Sequence, residues 1–142
     1  MLPRKSGHIV NIASTSGQRS TILSGTYAAT KHAVSSKMSS ILRQVSSGLL
    51  TYIDTQVIGM TKTAGVEYAA DGIYVNAVAP GCVKTQFLEQ ALSLGWSEES
   101  ISDLFPIKRL ADRVDIARAV GFLLESTYAV GFVVTVDGGH CS

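Results

Sequence analysis

The sequence predicts an α/β fold with a parallel sheet, from two observations. Short β-branched runs alternate with longer segments of helical periodicity, and each run ends at a turn rich in glycine, proline or hydroxyl residues. Of 142 residues, 46% are hydrophobic and 16% charged. A chain of this length can bury roughly 68–70% of its surface, enough for one core. That composition excludes a wholly disordered chain.

The elements follow in order. His8-Ile9-Val10-Asn11-Ile12-Ala13 reads as a buried strand, and the Ser/Thr/Gly-rich stretch Ser14 to Gly25 as a loop. From Thr26 the pattern turns helical through Tyr27, Lys31 and Val34. Val57, Met60, Ala64 and Tyr68 share a helical face, so a helix is expected over Val57 to Ala70, stopped by Asp71-Gly72. Ile73 to Val78 is a second strand, ended by Ala79-Pro80-Gly81. Phe87 to Phe105 reads as one or two short helices broken at Gly95, with Ser97 before Glu98 and Glu99 as a helix start. Asp112 is a candidate N-cap for a helix to about Glu125, and Phe132 to Val136 is a third strand closed by Asp137-Gly138-Gly139.

Composition narrows the function. Twelve basic residues against eleven acidic ones leave a net charge of +1, which argues against nucleic acid or an anionic membrane surface as partner. No apolar run reaches the length of a membrane span, and Met1 to Gly7 lacks the apolar stretch of a secretory signal. Two cysteines, Cys82 and Cys141, are too few for a disulfide scaffold and suit a reducing compartment. The expected location is the cytoplasm. His8, His32 and His140 have no metal-ligand spacing, and the cysteines form no C-x-x-C pair, so no metal site is expected. Cys82 reads as a small residue beside a turn, Met60 and Tyr68 as core or subunit interface, and Arg109 and Arg113 as solvated or capping.

The chemistry centres on Tyr27 and Lys31. Four residues apart on a helix, they share a face. Ionising a free tyrosine near pH 7 costs roughly 4 kcal/mol. A cation about 4 Å away at an effective dielectric near 20 returns about 4 kcal/mol. Lysine one turn along can therefore make tyrosine a usable general acid/base. Ser14, at the C-terminal end of a predicted strand, lies where parallel sheets bind ligands. Its hydroxyl can hydrogen-bond a substrate oxygen that gains charge. By itself Tyr-x-x-x-Lys is, in most proteins, an ordinary exposed helix face.

Its surroundings change that reading. The chain carries Gly7-His8-Ile9-Val10-Asn11-Ile12-Ala13-Ser14, then Tyr27-Ala28-Ala29-Thr30-Lys31, then Val75-Asn76-Ala77-Val78-Ala79-Pro80-Gly81-Cys82-Val83-Lys84-Thr85, and last Val136-Asp137-Gly138-Gly139. In that order these segments closely resemble the C-terminal half of the short-chain dehydrogenase/reductase family, in its ordinary single-domain subgroup. The Tyr-to-Lys spacing and the Asp-Gly-Gly ending argue against the enoyl reductases and the sugar-nucleotide epimerases. The resemblance implies the C-terminal half of a Rossmann-type doubly wound parallel sheet, with three strands flanked by helices. It implies NAD(H) or NADP(H) as cofactor and interconversion of a secondary alcohol and a ketone. Tyr27 would exchange the proton with the substrate oxygen. Lys31 would lower the tyrosine pKa and hold the nicotinamide ribose, and Ser14 would orient the carbonyl or hydroxyl. Pro80, Gly81, Val83 and Thr85 would contact the nicotinamide end, and Tyr27 and Lys31 would belong to the cofactor site as well. Phe87 to about Phe105 would form a mobile lid, where Trp96 is a candidate substrate contact. The lid's Phe87, Leu88, Leu92, Leu94 and Trp96 suit a lipophilic or cyclic alcohol. Asp137-Gly138-Gly139 would be structural. Members often assemble as dimers or tetramers through the helix bearing Tyr27 and Lys31.

Two departures from the family pattern stand out. These 142 residues contain no G-x-G-x-x-G and no Asn-Asn-Ala-Gly segment, so the pyrophosphate cradle and a fourth catalytic asparagine have no counterpart. Asn11 is not that asparagine, because it lies on the strand before Ser14. The first strand should therefore expose a hydrophobic edge, and the isolated chain is expected to bind cofactor poorly and to be catalytically weak. The second departure is the segment Val34 to Gln56. Deleting its 23 residues joins Lys31-His32-Ala33 to Val57-Ile58-Gly59, an uninterrupted family helix. Val34-Ser35 can be encoded by GTAAGT, a splice-donor sequence, and Gln56 by CAG, an acceptor, so the segment reads as a retained intron in frame. It also reads as real protein: Met38, Ile41, Leu42, Val45 and Leu49 have helical spacing suited to a partner, and six serines suit a surface. The competing functional expectation is an inactive truncated fragment that acts by association.

Overall fold

A computed structural model describes residues 1–18, 49–93 and 95–141. Three strands form one sheet: β1 (Gly7–Ile12), β2 (Ile73–Pro80) and β3 (Val133–Val136). All pairings are parallel, in the order β1-β2-β3. The register runs from Gly7 opposite Ile73 to Ile12 opposite Val78, and from Ala77 opposite Val133 to Pro80 opposite Val136. The described helices are α1 (Leu49–Tyr68), α2 (Gln86–Ser93), α3 (Glu98–Ser102) and α4 (Arg113–Glu125). The α/β architecture is the expected one, with all three strands within two residues of their predicted bounds.

The central place of β2 follows from its sequence. A strand covered on both faces reads as a near-continuous apolar run, and Val75 to Ala79 are all buried. The exception, Asn76, is fully hydrogen-bonded: its Nδ2 donates to the Ala129 carbonyl at 2.9 Å and its Oδ1 accepts the Phe132 N–H at 2.9 Å. A buried amide so paired costs little, and it fixes the chain's entry into β3.

Helix α1 packs against β2. Its described part runs from Leu49, eight residues before the expected start, and passes through Gln56 and Val57 without a break. A 3-10 turn, Ala69–Asp71, then leads to Gly72. The expected break at Gly95 separates α2 from α3, and Ser97 caps α3 by accepting the Ser100 N–H at 3.0 Å. Asp112 stands at the N-cap of α4 as expected. There the Asp115 carboxylate accepts the Asp112 N–H at 3.0 Å and the Arg109 guanidinium at 2.8 Å. The arginine's hydrogen bond and charge hold the Asp115 carboxyl below its ordinary pKa.

The candidate active site

The C-terminal ends of β1 and β2 lie side by side, and hydroxyl groups join them. The Ala13 N–H donates to the Val78 carbonyl at 2.8 Å, extending the pairing one residue past β1. Ser14 follows in extended conformation and caps a 3-10 turn, Thr15–Gly17, its Oγ accepting the Ser16 N–H at 3.1 Å. An accepting hydroxyl keeps its own proton to donate. Thr15 is buried, and its Oγ1 donates to the Pro80 carbonyl at 3.2 Å. That bond staples the Ser14 loop to the Pro80–Gly81 turn. It was legible only as a hydroxyl run, Ser14-Thr15-Ser16, with nothing to say which hydroxyl faces inward.

A second polar chain anchors β1 to α1. Asn11 Nδ2 donates to Thr61 Oγ1 at 2.9 Å, and Thr61 Oγ1 donates to the Val57 carbonyl at 2.6 Å. Thr61 is fully buried. Asn11 is thus committed to helix placement three residues before Ser14.

Past the turn, the chain is tied down on its far side. Ala111 N–H donates to the Cys82 carbonyl and Lys84 N–H to the Ala111 carbonyl, both at 3.0 Å, an isolated parallel bridge centred on Val83. The Val83 N–H has no partner among the described residues. Thr85 leads into α2, its carbonyl accepting the Leu88 N–H at 2.9 Å. Arg113, expected to be solvated or capping, reaches the Lys84 carbonyl through Nε at 3.3 Å. Lys84 also pairs with Glu98 of α3 at 2.7 Å, and that bond and charge raise the lysine pKa. The pair is solvent-exposed, so it contributes little stability.

The segment from α2 to Leu110 carries a small core of its own. Leu88, Phe105 and Leu110 are buried together, with Cys82, Leu92 and Ile101 packed against them. Burial raises the Cys82 pKa, and the side chain packs against this cluster as a small residue beside the Pro80–Gly81 turn. Trp96 is half exposed, at 51%.

Met60 and Tyr68, expected in the core or a subunit interface, are exposed at 69% and 39% and are not core. They line an apolar cavity of about 620 Å³ with Met1, Leu2, Ile9 and Val75. A smaller cavity of about 210 Å³ lies between Cys82, Phe105, Arg109, Asp115, Arg118 and Asp137.

Among the sequence-predicted site residues, Ser14 precedes Thr15, whose hydroxyl bonds the Pro80 carbonyl, and Gly81, Val83 and Thr85 follow Pro80 along the chain. Tyr27 and Lys31 lie outside the described residues, as does 34–48 of the predicted insertion. Gly81 is needed for close approach: a Cβ there would stand 2.9 Å from the Asp137 Cα. The neighbour that excludes a side chain is therefore protein backbone. Polar groups available here are the Ser14 hydroxyl, which keeps a proton to donate, the Val83 N–H, unpaired among the described residues, and the exposed Thr85 side chain.

Residues 51–141 match the family model described as Enoyl-(Acyl carrier protein) reductase, and residues 1–49 match the one described as short chain dehydrogenase. The chain belongs to the short-chain dehydrogenase/reductase family. It is 33% identical over 139 residues to carbonyl reductase family member 4 of Xenopus tropicalis, covering 98% of this chain and 47% of that protein. It is 31% identical over 139 residues to the 3-oxoacyl-[acyl-carrier-protein] reductase of Bos taurus, with the same coverage. Among solved structures, ElxO with NADP bound shares 35% identity and a TM-score of 0.72, over 99% of this chain and 49% of that one. The chain thus spans about half the length of the curated relatives it matches. The two family matches meet at residues 49–51, inside the segment Val34 to Gln56. Among the described residues no helix is long and apolar enough to cross a membrane.

Proposed function

We propose that this chain carries the substrate-handling half of an NAD(P)-dependent oxidoreductase that interconverts a secondary alcohol and a ketone. The observation that supports the proposal is the bond from Thr15 to Pro80, which ties the loop that begins at Ser14 to the Pro80–Gly81 turn in a chain of this family. A bound nicotinamide supplies or accepts the hydride. The chain's own groups handle the oxygen: Ser14 donates a hydrogen bond to it, Tyr27 gives it a proton on reduction and takes one on oxidation, and Lys31 keeps the tyrosine pKa low enough to do both. Pro80, Gly81, Val83 and Thr85 flank the nicotinamide, with the Val83 N–H as the free donor. Names such as carbonyl reductase and 3-oxoacyl reductase among the relatives favour a carbonyl over the enoyl substrate named in the longer family match. The apolar lid favours a lipophilic or cyclic alcohol.

The test is ketone-dependent oxidation of NADPH, followed at 340 nm, with binding measured separately by calorimetry. Tyr27→Phe should lower turnover by about 10²–10⁴-fold while leaving NADPH affinity nearly unchanged. Wild-type chain that binds NADPH but gives Tyr27→Phe the same turnover contradicts the assignment.

A second reading, an inactive fragment acting by association, draws on one observation: among the described residues β1 pairs with β2 alone, and its Ile9 and Ile12 are exposed. Absent NADPH binding together with concentration-dependent self-association would favour it. Dimer or tetramer formation through the Tyr27–Lys31 helix is a proposal of the same kind. So is the retained-intron origin of Val34 to Gln56, which transcript sequence across codons 33–57 decides.

A further inference from the structure

The C-terminal turn does more than close β3. Both carboxylate oxygens of Asp137 are committed to the chain that follows: Oδ1 accepts the Gly139 N–H at 3.0 Å and Oδ2 the Cys141 N–H at 2.7 Å. The resulting curl needs two successive left-handed residues, Gly138 at φ +63° and Gly139 at φ +86°, which glycine adopts at no steric cost.

The curl is clamped onto the segment that leaves the lid. The Ile107 N–H donates to the Gly138 carbonyl at 3.2 Å. The Phe105 ring lies 4.9 Å from the His140 imidazole. A Cβ on Gly138 would stand 2.5 Å from the Ile107 side chain, and one on Gly139 would stand 3.2 Å from Pro106. The opposite face of the same turn meets Gly81: the added Cβ there would lie 2.9 Å from the Asp137 Cα and 3.4 Å from the Phe105 ring. The Gly81 N–H also donates to the Val136 carbonyl at 2.9 Å. One five-residue turn thus touches both the far end of the lid and the Pro80–Gly81 turn.

We infer that the Asp137–Cys141 turn is the fixed mount of the lid's distal end, with Asp137 as a positioning residue that holds the Phe105–Ile107 strap against the Pro80–Gly81 turn. The inference rests on the oxidoreductase reading for what the lid does. The mount itself is a property of the unliganded chain, so it can be tested apart from that reading. A segment that closes over a substrate needs one end held while the rest moves. The proximal end at Thr85 is held through the Val83–Ala111 bridge, and the distal end through this turn.

The experiment is peptide-resolved hydrogen exchange on the full unliganded chain, comparing wild type with Asp137→Asn, Asp137→Ala and Gly81→Ala. Asparagine keeps the shape but cannot accept from both amides. Gly81→Ala attacks the same contact from the other wall, so it serves if Asp137→Ala fails to fold. Exchange in 104–108 and 81–85 is expected to rise about tenfold or more, with protection in 74–79 retained. Trp96, the single tryptophan, should become more accessible to acrylamide in the same variants. Unchanged exchange in 104–108, or an equal rise across the sheet, overturns the inference. NADPH titration of the wild type is the separate check on the oxidoreductase reading, and its failure leaves the exchange result to decide the mount.

Discussion

The two ends of the sheet solve the problem of exposure in opposite ways. At the β1 end a six-residue strand has one neighbour among the described residues, and Ile9 and Ile12 are 39% and 57% exposed. The apolar cavity of about 620 Å³ opens beside it. At the β3 end the strand is four residues long, and the chain curls at once into a turn whose carboxylate, glycines and ring contacts all have partners. A long open apolar edge invites pairing with another strand, whereas a short strand capped by a tight turn offers little template. Among the described residues the β1 end leaves apolar side chains exposed, whereas the β3 end is tied down by its own turn.

That contrast predicts where mutations cost stability and where they change association. The largest loss belongs to the tied-down end. Phe105→Ala removes a buried ring from between Leu88, Leu110, Gly81 and His140, and urea denaturation should show about 3–5 kcal/mol less stability. At the open end the buried Thr61 is the main anchor of β1 to α1. Thr61→Val strands the Asn11 amide without its acceptor and should cost about 1–3 kcal/mol. Equal losses for the two variants would remove the asymmetry.

The third prediction concerns acid. Burial works against ionisation of Asp137, but the Cys141 thiol and amide, the Gly139 amide and the His140 charge outweigh it and hold the carboxyl below its ordinary pKa. Arg109, Arg118 and Asp115 share its cavity. A carboxylate with a depressed folded pKa stabilises the fold fully above the unfolded value and loses that contribution as pH falls through the folded one. Urea midpoints should therefore fall in acid for wild type and less steeply for Asp137→Asn. Parallel profiles for the two proteins would show that Asp137 carries none of the pH dependence.

The smallest effect on stability is expected at the edge itself. Ile12→Lys should change the urea midpoint by no more than about 0.5 kcal/mol yet reduce self-association in sedimentation velocity, because an edge lysine blocks strand addition. Undiminished association would place the contact elsewhere on the molecule.

Much of the architecture was legible from local pattern. β-branched runs marked β1, β2 and β3, Gly95 marked the break between α2 and α3, and Ser97 and Asp112 marked helix starts, since each signal depends on neighbours within a few residues. The helical state of Leu49 to Gln56 was not assigned from the sequence, because those residues were read with the preceding insertion. The bond between the Ser14–Ser16 loop and the Pro80–Gly81 turn was not legible either: Thr15, which makes it, looked like one hydroxyl among several. Met60 and Tyr68 shared a predicted apolar face, yet that face looks onto an open cavity.

By itself the sequence determined the order of the strands and of the helices after Val57, and the family, because periodicity, turn chemistry and motif order are carried by residues near one another along the chain. Tertiary structure alone decided which hydroxyl faces inward at Thr15, why Gly81 must lack a side chain, and that Asp137 meets both the lid strap and the Pro80–Gly81 turn. Those contacts join residues from Thr15 to Pro80 and from Gly81 to Asp137, and no local pattern records what a distant strand brings alongside.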